Sequence, residues 1–267
     1  MFQVSSHGPL TRIRCARSIL GRVPHEVSCY QLGDTLVDSG CPATAGRLAR
    51  WCRDRGVRRV VHTHHHEDHT GGDAALTEMG LEILAPARTV PILADFYRLP
   101  LYRRIVWGKV QSAVARPMGD SVRIGDHAFE VVPTSGHAAD HVCLFERDLG
   151  WVFTGDLFIA PRAVYLRPVE DAREILRSLR TIRDLNPRRM ICSHAGIVDD
   201  AVGALNRRIR FWEELEEAAR SALDRGDSER RVTRRLLGRD GLMAFISGGD
   251  FAKLNLVRSL VRPDRTK

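Results

Sequence analysis

The chain has 267 residues, of which 43% are hydrophobic and 28% charged, and a net charge of +8. That length can bury a large core as one α/β domain with an appendage or as two smaller domains, and no apolar run approaches the roughly 18–20 residues of a membrane span. Six cysteines, at positions 15, 29, 41, 52, 143 and 192, form no C-x-x-C pair, which argues against a zinc ribbon or a secreted disulfide scaffold and predicts reduced, mostly buried thiols.

The amino-terminal MFQVSSHGPLTRIRCARSIL lacks the continuous apolar segment of a signal peptide, so a cytosolic location is expected. Apolar alternation and short β-rich runs predict strands over Arg12–Arg17, Val27–Leu32 and Thr35–Val37, the last ending in LVDSG at Asp38. Helical spacing of Leu48, Trp51 and Cys52 predicts a helix over Ala43–Arg55, stopped by Gly56. VRRVVHT follows as a buried strand, DAALTEMG as a short helix with Asp73 as N-cap, and LEILAP as the next strand. Residues 87–112 form an insert of helical pieces broken at Pro91 and Pro100. Two hairpin-like pairs come next, SVRIGD with HAFEVVPT and HVCLFE with GWVFTGD. A helix over Val169–Leu185, the strand RRMICSH and a long helix over Asp199–Arg225 complete the main body. This order suits two sheets with helices outside, a four-layer αββα sandwich, over residues 1–225. The remaining 226–267 read as a helical extension with two candidates, SERRVTRRLLG and DFAKLNLVRSLVR.

The stretch VVHTHHHEDHTGG places five of the eleven histidines within His62–His69. A purification tag would sit at a terminus and would not be interrupted by Glu67 and Asp68. Imidazole and carboxylate are zinc ligands. In an extended loop alternate residues point the same way, so His64 and His66 can clasp one metal while His65 points elsewhere. Asp68 and His69, starting a helical turn, can face a second. Two metals need more ligands than one loop holds, and three further stretches offer them: His137 in PTSGHAADH, Asp156 in WVFTGDLF and His194 in MICSHAGI. Each follows an apolar strand, a place where a charge is costly without a partner.

His64-x-His66-x-Asp68-His69, followed by His137, Asp156 and His194, resembles the metallo-β-lactamase superfamily, and Asp38 resembles its first motif. The resemblance runs from about residue 34 to 196. It implies that His64, His66 and His137 hold a first metal, that Asp68, His69 and His194 hold a second, and that Asp156 bridges them. The implied cofactor is two Zn(2+), with iron or manganese as alternatives. His62 and His65 are expected to pack behind the ligands, His141 to orient its loop or touch substrate, and His7, His25 and His127 to lie at the surface.

Two such metals share a bridging water and lower its pKa to about 7, so the implied reaction is metal-assisted hydrolysis. The bridging Asp156 with His69 resembles the glyoxalase II-like, lactonase-like branch, which points to an ester, thioester or lactone as a small acyl substrate. Asp68 is a candidate to pass a proton to the leaving group, and Tyr165 to donate a hydrogen bond to an oxyanion. Arg162 and Arg167 are candidates for binding an anionic substituent. Phe96, Tyr97, Tyr102 and Trp107 offer aromatic surface for an acyl pocket or a homodimer contact.

A glutathione-binding pattern is not evident in the tail. The positive charge keeps a phosphodiesterase or ribonuclease of the same fold as the alternative, although lysine occurs only at 109, 253 and 267 and the arginines are scattered. A binding or regulatory protein with weak turnover is the third possibility.

Overall fold

A computed structural model describes residues 1–95 and 98–262. Seven strands form the first sheet in chain order: β1 (Phe2–His7), β2 (Leu10–Cys15), β3 (Val27–Leu32), β4 (Thr35–Val37), β5 (Arg59–Val61), β6 (Glu82–Ala85) and β7 (Arg116–Pro117). β1 to β4 pair antiparallel and β4 to β7 parallel. The second sheet holds β8 (Ser121–Ile124), β9 (His127–Pro133), β10 (Val142–Glu146), β11 (Trp151–Gly155), β12 (Arg189–Cys192) and β13 (Gly196–Val198). In it β11 and β12 pair parallel and the other neighbours antiparallel.

The central strands are apolar on both faces because both faces are buried. In β3, Val27 and Cys29 face the helices α1 (Ala45–Asp54) and α2 (Asp73–Glu78), while Tyr30 and Leu32 face the other sheet. In β10, Leu144 joins that inter-sheet layer, and Cys143 and Phe145 point outward to α5 (Ala172–Asp184) and α6 (Ala201–Asp224). The result is the expected αββα sandwich. All six cysteines are buried and unbridged. Tyr30 donates its phenol proton to the Cys192 carbonyl across the sheets at 2.7 Å, which ties the end of β12 to β3.

The insert folds as α3 (Val90–Ala94) and α4 (Leu101–Trp107). Pro91 does not break a helix; it sits in the first turn of α3, where no N–H is needed. Pro100 caps α4. Phe96 and Tyr97 lie outside the described residues. Asp73 is not the N-cap of α2 either: Gly72 is, without a side-chain bond, because the Asp73 carboxylate is engaged elsewhere. β2 begins two residues earlier than expected, since the turn at Gly8 pairs it with β1, an exposed polar strand with no alternation to announce it.

After α6 come α7 (Glu229–Leu237), the unforeseen short α8 (Leu242–Ile246) and α9 (Lys253–Val261). Val232 and Val257 pack on Ala219 and Ala222 of α6, and Leu256 and Leu260 join the core beneath α5 and α6. The Ala172 N–H donates to Ser259 Oγ at 2.9 Å. Among the described residues no helix is long and apolar enough to cross a membrane.

Leu260 is fully buried in the main core although it lies in the last helix. Leu260→Ala is expected to cost about 2–5 kcal/mol, as large-to-small core changes do, read as a lower midpoint of urea unfolding with an unchanged slope.

Candidate metal centre

The ends of β4, β5, β9, β11 and β12 meet at one rim of the sandwich, and each delivers part of the site. β4 ends at Asp38, whose backbone has φ +57°. β5 leads into the histidine loop, β9 into the turn holding His137, β11 into Asp156 and β12 into His194. Gly155, at φ +46°, admits no side chain: a Cβ there would come within 2.7 Å of Thr63 Oγ1 and 2.8 Å of His141 Nε2. The close approach of β11 to the histidine loop therefore requires glycine.

His64, His66, His137 and Asp156 place one ligand atom each within 4.8 Å of one another, and Asp68, His69, Asp156 and His194 do the same. Every expected ligand is thus at the rim, and Asp156 belongs to both groups. His66 Nδ1 lies 2.8 Å from His64 Nε2 and 2.9 Å from His137 Nε2. His69 Nε2 and Asp156 Oδ1 are 3.2 Å apart. Both are buried without a hydrogen-bond partner among the described residues.

Four rings have their outer nitrogen already engaged. Nδ1 of His64 meets Thr63 Oγ1 at 3.0 Å, that of His69 meets Asp38 at 2.7 Å, that of His137 meets Glu170 at 2.9 Å and that of His194 meets the Glu26 carbonyl at 2.8 Å. Bonds of this kind fix the tautomer and aim the free Nε2 inward. His66 is reversed, with Nδ1 inward and Nε2 facing Arg167 Nη2 at 3.1 Å.

Burial, together with the neighbouring cations, holds His64 and His66 far below the usual imidazole range, so they are neutral and ready to ligate. Around the second group burial opposes charge, but Asp156 and Asp68 outweigh it and push His194 up to about 10. His69 is raised in the same way, by Asp156 and Asp38. A cluster that holds protons this firmly has a demand for positive charge. Inward nitrogens, unpartnered buried atoms and surplus carboxylate together fit divalent cations.

The supporting residues divide as follows. His62 bonds Asp73 at 2.9 Å, and His65 bonds Asp140 at 2.8 Å, so both turn away from the ligand atoms. His141 is buried, with Nδ1 on Thr134 Oγ1 and Nε2 accepting the Asp156 N–H at 3.2 Å; it orients the turn. Asp38 accepts from the Thr63 N–H and Oγ1 as well as from His69. His7 and His25 are exposed, as expected, yet His25 also borders the cavity over the site.

That cavity has a volume of about 510 Å³. Its walls come mostly from α4, the segment after β11 and α8, with Ile175 of α5 and Arg208 of α6, and include Tyr102, Trp107, Leu157, Tyr165 and Met243. Tyr102 and Trp107 are therefore cavity residues. Arg167 borders the cavity too, but it is paired with Glu170 at 3.0 Å. Arg162 does not reach it; its guanidinium lies over the Phe211 ring instead, at 4.5 Å.

Several supporting residues escaped the sequence. Arg103 of α4 binds buried Glu67 through two bonds, of 2.6 and 2.5 Å, locking the insert onto the histidine loop. Glu170 holds His137; burial alone would raise its pKa, but His137 and Arg167 outweigh it and lower the value to about 2. The only signal for Glu67 was its place within the histidine cluster; Arg103 and Glu170 gave none.

A family model described as the metallo-beta-lactamase superfamily matches residues 27–194. A hydroxyacylglutathione hydrolase of Cereibacter sphaeroides strain ATCC 17025 is 33% identical over 184 residues, 69% of this chain and 65% of the relative. An atrochrysone carboxyl ACP thioesterase of Aspergillus fumigatus is 28% identical over 176 residues, 66% of this chain and 50% of the relative. The chain thus spans less than two thirds of these relatives' length. Among solved structures, a beta-lactamase domain protein from Burkholderia ambifaria superposes with a TM-score of 0.73 at 20% identity, over 97% of this chain and 86% of that one.

Because Asp38 aims His69, Asp38→Ala is expected to weaken metal binding by about 10–100-fold. Competition with a chromophoric chelator measures this, and unchanged affinity would show that His69 is held without Asp38.

Proposed function

The chain belongs to the metallo-beta-lactamase superfamily, and on that premise we propose that it is a dinuclear metal-dependent hydrolase of thioesters or esters, lactones included. One observation carries the reading: two complete ligand groups share Asp156 at the floor of a largely apolar cavity. His64, His66 and His137 would hold the first cation and Asp68, His69 and His194 the second, with Asp156 available to both. Zinc suits this imidazole and carboxylate set. Bound there, the cations supply Lewis acidity, polarising a carbonyl oxygen and acidifying water.

The remaining work falls to the chain. The aromatic and aliphatic walls bind an acyl group and shield the reacting carbonyl from bulk water. The Asp68 carboxylate borders the cavity, with Oδ2 3.4 Å from His194 Nε2. From there it accepts the proton that the attacking water gives up and passes it to the departing thiolate or alkoxide. The Tyr165 side chain also lines the cavity, and its phenol donates a hydrogen bond to the oxygen on which charge develops.

The names of the thioester-cleaving relatives support an acyl substrate over a phosphodiester. Apolar walls point the same way, since a polyanionic backbone would find little to bind there.

Elemental analysis of freshly purified, untagged protein is expected to give near two zinc per chain, falling toward one in His69→Ala. The wild type is expected to cleave simple acyl thioesters and to leave phosphodiesters intact. One iron per chain, unchanged in the variant, would overturn the dinuclear reading; metal-loaded protein inert toward every acyl substrate would leave a binding protein.

A further inference from the structure

Three arginines border the cavity, and two of them have carboxylate partners: Arg103 binds Glu67, and Arg167 binds Glu170. Arg208, on α6, is different. It is 3% exposed. Its guanidinium lies over the Trp212 ring, 3.9 Å from the centroid, and Nη1 donates to the Ala160 carbonyl at a long 3.4 Å. Nε is buried with no hydrogen-bond partner among the described residues. The nearby carboxylate that acts on it, Glu170, is already bonded to Arg167 and His137. Burial lowers the Arg208 pKa to about 9, which still leaves it a cation at neutral pH.

A buried cation with unused donors is disfavoured unless an anion meets it. Nothing about α6 demands arginine here, since the helix packs through Leu205, Ile209 and Trp212. Leu166, Ile175 and Met243 line the same cavity, and the charged pair Arg167–Glu170 beside them is already closed on itself. A ligand filling this space would thus be greasy along most of its length and anionic at one point.

We propose that Arg208 is the anion anchor of the cavity, and that the substrate is a thioester or ester carrying a carboxylate on an otherwise apolar skeleton. The planar fork of a guanidinium matches the two oxygens of a carboxylate, and the desolvated setting strengthens the pair. A neutral analogue of the same length leaves the guanidinium unpaired and binds more weakly for that reason. The word substrate rests on the hydrolase reading; the anion site itself does not.

Calorimetry on the protein as purified tests the site through adipate and hexanoate, equal in chain length and differing by one carboxylate. Adipate is expected to bind at least about tenfold more tightly, the worth of one charge-assisted contact. That ratio should fall toward one in Arg208→Met and be partly kept in Arg208→Lys. The matching adipyl and hexanoyl thioesters of one thiol should show the same preference in kcat/KM. A ratio near one in the wild type overturns the anchor, whatever the variants do, and so does a ratio that survives Arg208→Met. Preferential adipate binding without cleavage of either thioester would uphold the anchor and refute the hydrolase.

Discussion

A carboxylate buried at the end of a strand must be met by donors and positive charge, and Asp38 imposes that condition on everything around it. It is almost fully enclosed, and it takes the Thr63 N–H, the Thr63 hydroxyl and His69 Nδ1. Those bonds fix the start of the histidine loop and the direction of one ring within it. Behind them, Asp73 collects His62 and Ser39. The strand ends can then bring imidazoles together because the shell of acceptors has already decided which nitrogen each ring presents. Without that shell, converging rings would be free to rotate.

The two halves of the centre satisfy electrostatics in opposite ways. His64 and His66 are kept neutral chiefly by burial, and so offer lone pairs without having to lose protons. Around His69 and His194 the carboxylates dominate and attract any cation available. Asp156, shared by both groups, joins a site that is ready by desolvation to one that is ready by charge.

How much of this could be read from the chain depends on distance along it. His64, His66, Asp68 and His69 announce themselves because four ligating residues crowd one loop, and His137, Asp156 and His194 because each polar residue ends an apolar strand. Strands buried on both faces, such as β3 and β4, were legible to the residue. The exposed β1, the short β13 and the brief α8 carry too little patterning to be seen. Asp73 reads locally as a helix cap, yet two distant partners claim it. Glu67 with Arg103, and Glu170 with His137, are pairs that only the folded chain creates; charge alone marks nothing when 28% of residues carry it. The expectation for Arg162 failed similarly, because Phe211 offered it a ring outside the cavity.

The candidate ligands sit at strand ends, whereas most of the cavity wall comes from α4, the stretch after β11 and α8, segments with no part in either sheet. Tyr102 of α4 donates to Asp250, just beyond α8, at 2.6 Å, so α4 and the turn after α8 are tied together. The consequence is a division of labour between scaffold and vestibule. A change of length or composition in α4 or α8 would reshape what is admitted while leaving the ligand cradle in place. One centre of this design can therefore serve guests of very different size, and its selectivity is best sought in the segments farthest from the sheets.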